Sequence, residues 1–131
     1  YQQILDHDYI SLFEGTDGYG DGEQQRDFVF VDDVVRVNLF FRDNPAISGV
    51  FNCGTGKAHS FNEVARAVIA ALGKGDIEYT AFPDVLRGKY QNYTQADVSA
   101  LMAVGYDGGF TPLQTAVESY CRLLAEKDGY Y

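Results

Sequence analysis

Short apolar runs alternate along the chain with polar and glycine-rich stretches. Four of these runs have the length and the β-branched or aromatic content of buried strands, and they lie at 10–13, 28–31, 50–53 and 77–82. Because two of the runs end in a turn that opens a helix, the pattern predicts an α/β sheet. Four irregularly spaced strands are too few for a full doubly wound sheet, so we expect an incomplete sheet with flanking helices.

Helical spacing of apolar residues marks the segments that follow these runs. Asp32 or Asp33 can cap a helix that runs to about Asp43. A second helix is marked by Ser60 and Glu63, which have the spacing of a capping box. Its apolar residues recur every three or four positions until Gly73 ends the helix.

Two further helices are predicted in the C-terminal third of the chain. Thr94 and Asp97 are placed to cap a short helix that closes near Gly105. The last helix starts around Pro112 and repeats apolar residues at i, i+3, i+4 and i+7, which gives it one apolar face. We expect that face to pack against another element.

The charge of the 131-residue chain is acidic, with a formal net charge of −9. The imbalance is concentrated in residues 1–33, where nine acidic residues accompany Arg26 alone. Such a surface disfavours nonspecific binding to nucleic acid or to anionic lipid. Arg87 and Lys89 stand beside Tyr90 as a local exception, and an anionic ligand would need such local positive charge.

The two cysteines favour a reducing, cytoplasmic setting. Cys53 lies in an apolar run and Cys121 in a helical apolar stripe, so we interpret both as small core residues and not as a disulfide. No segment has the length of apolar residues that a membrane span needs. His7 and His59 lack metal-ligating neighbours at suitable spacing, so no metal site is predicted.

Three features are candidates for binding an anionic ligand. The Gly54-Thr55-Gly56 turn could present backbone N–H groups to a phosphate, but a purely structural turn is the favoured interpretation. Arg26 could grip a diphosphate or could pair with Asp27, Asp32 or Asp33. Tyr90 could contact a nucleotide or could anchor an exposed loop.

Catalytic motifs are missing from the chain. There is no dinucleotide-binding fingerprint, no Tyr-x-x-x-Lys pair and no Ser-His-Asp arrangement. The sequence also starts at Tyr1 without an initiator Met. We therefore expect a piece of a larger enzyme whose N-terminal half is absent, and we expect no catalytic or cofactor-binding residues in this piece.

Several short motifs occur in the order of a known family. Arg-Asp-Phe-Val from Arg26 and Phe-Asn-Cys-Gly-Thr-Gly from Phe51 are shared across extended short-chain dehydrogenases. Arg-Gly-Lys-Tyr-Gln from Arg87 and Tyr-Thr-Gln-Ala-Asp from Tyr93 are more specific. Together they make the whole chain, residues 1–131, resemble the C-terminal substrate-binding part of the ADP-L-glycero-D-manno-heptose 6-epimerase family.

The resemblance implies an NADP-dependent isomerase that acts on ADP-heptose for the inner core of lipopolysaccharide. In that family a hydride passes to NADP and returns to the other face of the sugar carbon, with a Tyr and a Lys as acid and base. The resemblance places NADP and both catalytic residues in the absent N-terminal part. It also implies a cytoplasmic homo-oligomer, a pentamer in the family.

The resemblance also implies a set of substrate-binding residues in this chain. Carried over position by position, they are Phe13, Glu14, Gly15, Thr16, Arg26 and Tyr90. The stretch at 17–25 is longer and richer in glycine than in some family members, which leaves the path of the loop to Arg26 open. Two alternative functions remain at this point: a non-catalytic nucleotide-sugar binding module, and another extended short-chain sugar-nucleotide epimerase or dehydratase.

Overall fold

The computed structural model describes residues 1–127 and has an α/β fold. Five α-helices and four short strands follow one another in this part of the chain, with a 3-10 turn at Asp84–Leu86. In chain order they are α1 (Gln2–His7), β1 (Tyr9–Phe13), β2 (Gln25–Arg26), α2 (Val31–Asp43), β3 (His59–Ser60), α3 (Phe61–Leu72), β4 (Asp76–Thr80), α4 (Ser99–Ala103) and α5 (Leu113–Glu126).

The strands form two small sheets. Strands β1 and β4 pair in parallel, with Tyr9 opposite Asp76 and Phe13 opposite Thr80. Strands β2 and β3 pair antiparallel through two residues each. Since the carboxyl ends of parallel strands are where ligands bind in open α/β sheets, the ends at Phe13 and Thr80 mark the edge where a ligand is expected, the candidate functional edge.

Two apolar clusters form the core. Buried Ile4, Ile10 and Ala65 join α1, β1 and α3, and side chains of β4 and α3 pack around them. The second cluster joins α2 to α4 and the segment after it through buried Val37, Leu101 and Tyr106. Helix α5 packs along α3, which confirms that it packs against another element. Part of its apolar face also lines an open apolar groove, and Tyr120 stays exposed.

Both cysteines are free, as predicted. Cys121 is buried in α5, and Cys53 is half-buried beside the second apolar cluster. Burial raises the pKa of both thiols, so each stays protonated and behaves as a small apolar side chain. No helix within residues 1–127 is long and apolar enough to cross a membrane.

Two of the four predicted strands are wrong. The run at 10–13 lies within β1 and the run at 77–82 largely within β4, but the runs at 28–31 and 50–53 pair with no strand in the described part of the chain. Phe30 is extended but serves as the N-cap of α2, and Val50 is 98% exposed. An apolar run becomes a strand only where a neighbouring strand takes up its backbone hydrogen bonds.

The predicted cap of α2 is also wrong. The N-cap is Phe30, which makes no side-chain hydrogen bond. Asp33 is instead fully buried and accepts hydrogen bonds from the backbone N–H and hydroxyl of Thr111, both at 2.7 Å, and pairs with Arg36. A buried carboxylate needs such partners, and here they come from a segment distant in sequence.

The capping box of α3 is confirmed. The Ser60 hydroxyl accepts from the Glu63 N–H at 3.2 Å, and the Glu63 carboxylate accepts from the Ser60 N–H at 2.7 Å. Gly73 ends the helix in the left-handed region at φ 70°, where a side chain would be strained.

The predicted cap of α4 holds only in part. The helix starts after Val98, and Asp97 accepts a hydrogen bond from the Ser99 N–H at 3.0 Å. Thr94 does not cap it, because the N-cap is Val98, four residues further on. The last helix starts after Pro112, as predicted.

Replacing the capping hydroxyl should weaken the fold by a modest amount. We expect Ser60→Ala to lower the free energy of unfolding by about 1 kcal/mol, because the Glu63 N–H loses its partner at a buried helix start. Ser119→Ala on the exposed side of α5 is the matched control and should change it by less than about 0.5 kcal/mol. Urea denaturation followed by circular dichroism measures both, and equal effects would contradict the role of the cap.

Candidate functional site

The residues singled out for substrate binding begin at the carboxyl end of β1. Phe13 is the last residue of this strand, and Glu14, Gly15 and Thr16 open the loop that leaves the sheet. The Glu14 N–H donates to the Thr80 carbonyl at 2.8 Å and so continues the pairing with β4. Glu14 is exposed and Thr16 is buried.

The loop at 14–24 folds back on α3 and ends at β2. The Gly22 N–H donates to the Phe13 carbonyl at 3.0 Å, which closes the loop at its base. The buried amide of Asn62 donates to the Asp21 carbonyl at 2.7 Å and accepts from the Tyr79 hydroxyl at 2.9 Å. A Cβ at Gly22, whose φ is 66°, would lie 2.5 Å from the Asn62 side chain, so glycine is required there.

Arg26 lies directly over the ring of Tyr90. Its guanidinium carbon is 5.0 Å from the ring centroid, and its Nη1 donates to the Gln25 carbonyl at 2.8 Å. Within residues 1–127 no carboxylate pairs with Arg26, so the alternative of an ion pair with Asp27, Asp32 or Asp33 is not realised. The structure therefore brings together two predicted site residues that are 64 positions apart.

A small pocket adjoins this stacked pair. It encloses about 150 Å³, and its lining residues are Ser11, Leu12, Phe13, Gln24, Phe61 and Tyr90. The Phe82 ring meets the rings of Phe13 and Tyr90 edge-on, at centroid distances of 5.5 and 5.4 Å. Glu14, Gly15 and Thr16 do not line this pocket but follow Phe13 in the loop.

A second arginine adds positive charge next to the pocket. The Arg87 guanidinium carbon lies 5.8 Å from the Phe82 ring centroid, and its Nε donates to Asp84 at 2.9 Å. The Arg87 charge is thus compensated by a neighbour, whereas that of Arg26 is not. No cluster of metal-ligating side chains occurs in the described part of the chain.

The glycine turn at 54–56 is occupied by a carboxylate of the protein itself. Asp27 Oδ1 accepts from the Thr55 N–H at 2.8 Å and from the Thr55 hydroxyl at 2.6 Å, and Oδ2 accepts from the Gly56 N–H at 2.9 Å. Oδ2 also accepts from the Ala96 N–H at 3.0 Å. A Cβ at Gly54 would come within 2.6 Å of the Ala96 Cβ, which explains the glycine.

These contacts make the structural interpretation of the turn the right one. Burial alone would raise the pKa of Asp27, but the hydrogen bonds from Thr55, Ala96 and Gly56 together lower it below the ordinary value of 3.8. Sequence reasoning missed Asp27 as an organising residue. Two features of the sequence could have indicated this role. Asp27 is an acid directly after a candidate binding residue, and the Gly54-Thr55-Gly56 turn lacks the third glycine of a dinucleotide-binding motif.

The Gly54–Gly56 turn does not fit the pyrophosphate of a dinucleotide cofactor. A pyrophosphate needs free backbone N–H groups at a glycine turn that opens a helix. In the Gly54–Gly56 turn the N–H groups of Thr55 and Gly56 already donate to Asp27. This turn therefore has no N–H group of Thr55 or Gly56 left for a pyrophosphate.

Comparison with known proteins confirms the resemblance. The model of the NAD dependent epimerase/dehydratase family matches residues 10–54. The ADP-L-glycero-D-manno-heptose-6-epimerase of Alkalilimnicola ehrlichii is 50% identical over 125 residues, which are 95% of this chain and 39% of that protein. The enzyme of the same name from Brachyspira hyodysenteriae is 48% identical over 130 residues, covering 99% of this chain and 39% of that protein. The chain thus spans about two fifths of their length.

Solved structures confirm the fold class. The Helicobacter pylori ADP-L-glycero-D-manno-heptose-6-epimerase superposes with a TM-score of 0.74 at 26% identity, over 94% of this chain and 35% of that one. The Thermotoga maritima UDP-glucose 4-epimerase, solved with UDP-glucose, superposes with a TM-score of 0.72 at 25% identity, over 96% of this chain and 38% of that one. A Methanobrevibacter ruminantium UDP-N-acetylglucosamine 4-epimerase superposes with a TM-score of 0.77 at 19% identity, over 96% of this chain and 37% of that one. At this identity the likeness shows the fold alone.

The hydrogen bonds of Asp27 predict a pH-dependent contribution to stability. Because its pKa is lower in the folded than in the unfolded chain, its contribution is complete above the unfolded value near 3.8 and is lost as the pH falls through the folded value. Asp27→Asn should lower the free energy of unfolding by about 2 kcal/mol at neutral pH, since the N–H groups of Gly56 and Ala96 lose their shared acceptor.

Chemical denaturation over a pH series measures this difference. The gap between the original chain and Asp27→Asn should stay constant from about pH 5 to 8 and shrink below about pH 4. Exposed Asp107 provides the matched control, and Asp107→Asn should change the unfolding free energy by less than about 0.5 kcal/mol at neutral pH. A gap that widens on acidification would refute the assignment.

Proposed function

We propose that this chain, residues 1–131, is the C-terminal substrate-binding subdomain of an ADP-L-glycero-D-manno-heptose 6-epimerase. The parent enzyme would interconvert the D-glycero and L-glycero forms of ADP-manno-heptose for the inner core of lipopolysaccharide. The proposal is supported by 48–50% identity to two relatives of that name, of which this chain covers 39%. The family-specific runs from Arg87 and from Tyr93 lie inside the aligned stretch.

One observation carries the proposal: Arg26 has no acidic partner among residues 1–127 and stacks on Tyr90 at the rim of an aromatic pocket. In a chain with so many carboxylates, an arginine left without one is available for an external anion. The planar guanidinium can give two parallel hydrogen bonds to a diphosphate, and the ring beneath it fixes its plane. The neighbouring pocket suits a flat or apolar part of the same ligand.

The start of the loop after β1 is assigned to the same ligand. Phe13 lines the pocket directly, and Glu14, Gly15 and Thr16 continue from it at the functional edge of the sheet. The Gly15 N–H donates to Asp21 at 2.7 Å, which holds the loop in its folded path. Exposed Glu14 offers a carboxylate that can accept hydrogen bonds from sugar hydroxyls.

The redox part of the reaction is assigned to residues outside this chain. NADP would be held there, together with the catalytic Tyr and Lys, because the glycine turn in this chain is already filled by Asp27. Free cysteines suit a reducing cytoplasm. A homo-oligomer, pentameric as in the family, is the proposed assembly of the parent enzyme, with no nucleic-acid or membrane partner.

A ligand comparison separates the proposal from its alternatives. Relatives of the same fold include enzymes that bind UDP-sugars, such as the Thermotoga maritima 4-epimerase solved with UDP-glucose. An ADP-heptose epimerase subdomain should prefer ADP and ADP-sugars over UDP-glucose. The reverse preference would favour another sugar-nucleotide epimerase or dehydratase.

Removing the Arg26 guanidinium should weaken the binding of ADP. We expect Arg26→Ala to raise the Kd of ADP about thirtyfold, which corresponds to about 2 kcal/mol for a charge-assisted contact to phosphate. Arg122→Ala is the matched control, since Arg122 is exposed on α5 and its loss removes the same charge. Isothermal titration calorimetry measures both, and equal losses would show that only net charge matters.

The chain alone should not turn over substrate. With ADP-D-glycero-D-manno-heptose and NADP present, we expect no conversion to the L-glycero form, because the chain has neither a Tyr-x-x-x-Lys pair nor a free glycine turn. Chromatography of the two ADP-heptoses after prolonged incubation measures this. Conversion above a protein-free control would overturn the assignment of the redox chemistry to another part of the enzyme.

A further inference from the structure

We propose that Asp27 is a positioning residue for nucleoside-diphosphate binding. Its carboxylate joins the segment that carries Arg26 to the segment that carries Tyr90 and thereby sets the guanidinium over the ring. The ligand half of this inference rests on the proposed function, whereas the placement of the two side chains can be tested without any ligand.

The two segments are joined by a short ladder of hydrogen bonds. The Gln25 N–H donates to the Asn92 carbonyl at 2.8 Å, and the Thr94 N–H donates to the Gln25 carbonyl at 3.2 Å. This is the alternating pattern of a parallel pair. The next donor in this parallel ladder is the Ala96 N–H, and it donates to Asp27 Oδ2 at 3.0 Å. The side-chain carboxylate of Asp27 thus takes the place of a backbone carbonyl and accepts the last hydrogen bond of the ladder.

The carboxylate is itself held in a fixed orientation. Three of its hydrogen bonds come from the turn at 54–56, through the Thr55 N–H, the Thr55 hydroxyl and the Gly56 N–H. Only an ionised carboxylate can accept from these donors and from Ala96 together. Asp27→Asn keeps one oxygen, and an NH₂ group in place of Oδ2 would face the N–H donors of Gly56 and Ala96, which it cannot satisfy.

The ladder aligns Arg26 with Tyr90 because Arg26 lies within it and Tyr90 lies just before it. Arg26 immediately precedes Asp27, and Tyr90 lies two residues before Asn92. The stacking distance of 5.0 Å therefore depends on how the two segments are aligned. Without the hydrogen bond to Asp27, the direct hydrogen bonds left between the two segments would be the two backbone bonds of Gln25. The segment of Tyr90 would still be bound to Asp17 through Asn92 and to Gly56 through Gln95.

Asp33 provides a matched control within the same chain. It is fully buried and also accepts from a backbone N–H and a hydroxyl, both of Thr111. It does not contact the ladder between Gln25 and Ala96. Asp33→Asn should therefore destabilise the fold while leaving Arg26 in place.

The first experiment observes the stacking directly by NMR on the ligand-free chain. The ring current of Tyr90 shifts the side-chain proton signals of Arg26, and Tyr90→Leu identifies that shift by removing it. We expect Asp27→Asn to lose most of the shift and Asp33→Asn to keep it, with circular dichroism confirming that each variant is folded. An unchanged shift in folded Asp27→Asn overturns the inference.

The second experiment measures the Kd of ADP in the same variants. Asp27→Asn should raise the Kd about tenfold, as expected for one misplaced charge-assisted contact. In an Arg26→Ala background the same substitution should have little further effect, because a positioning residue acts through the residue it positions. Equal effects in both backgrounds would contradict the inference.

The outcomes separate the inference from the proposed function. If the chain does not bind ADP but Asp27→Asn still loses the ring-current shift, the proposed function is wrong and the positioning of Arg26 by Asp27 stands. If Asp27→Asn does not fold, Thr55→Val decides, since it removes one donor to the carboxylate. It should shift the Arg26 signals in the direction of Tyr90→Leu, and unchanged signals would overturn the inference.

Discussion

The structure depends on two carboxylates, those of fully buried Asp33 and half-buried Asp27, that take the place of missing strand partners. Long irregular segments, such as those at 44–58 and 87–98, carry backbone N–H groups that require acceptors once they are shielded from water. Asp27 supplies acceptors to the turn at 54–56 and to Ala96, and Asp33 does the same for Thr111. Each carboxylate joins segments far apart in sequence, so two short sheets suffice to organise the fold.

Because these carboxylates accept hydrogen bonds from N–H groups, they determine which charges remain uncompensated at the candidate site. The chain is strongly acidic, and its long-range field repels a nucleotide diphosphate. At short range the balance is different, because Asp27 and Asp33 are turned toward N–H donors and leave Arg26 without an acidic partner in residues 1–127. Binding of an anion here therefore relies on close directional hydrogen bonds and on the orientation of one guanidinium.

What the sequence predicted correctly was mostly local. The capping box at Ser60, the amphipathic helix α5 and the strand β1 are encoded by neighbouring residues, and all were confirmed. The runs at 28–31 and 50–53 failed as strands because strand formation requires a partner that spacing cannot reveal. Helix α1 and the two-residue strands β2 and β3 are too short to show a period. The family resemblance named Arg26 and Tyr90 as separate substrate contacts, and neither it nor any pattern in the residues predicted that the two stack.

The turn at Gly54–Gly56 shows why a glycine motif alone does not identify a ligand site. Glycines at such a turn expose backbone N–H groups, and these groups bind whichever anion reaches them. In this chain the anion is the carboxylate of Asp27, which is part of the same fold. The N–H groups that could have held a phosphate instead hold the strand end that carries Arg26. In the proposed site the turn would contribute to recognition only indirectly, by fixing the position of the residue before Asp27.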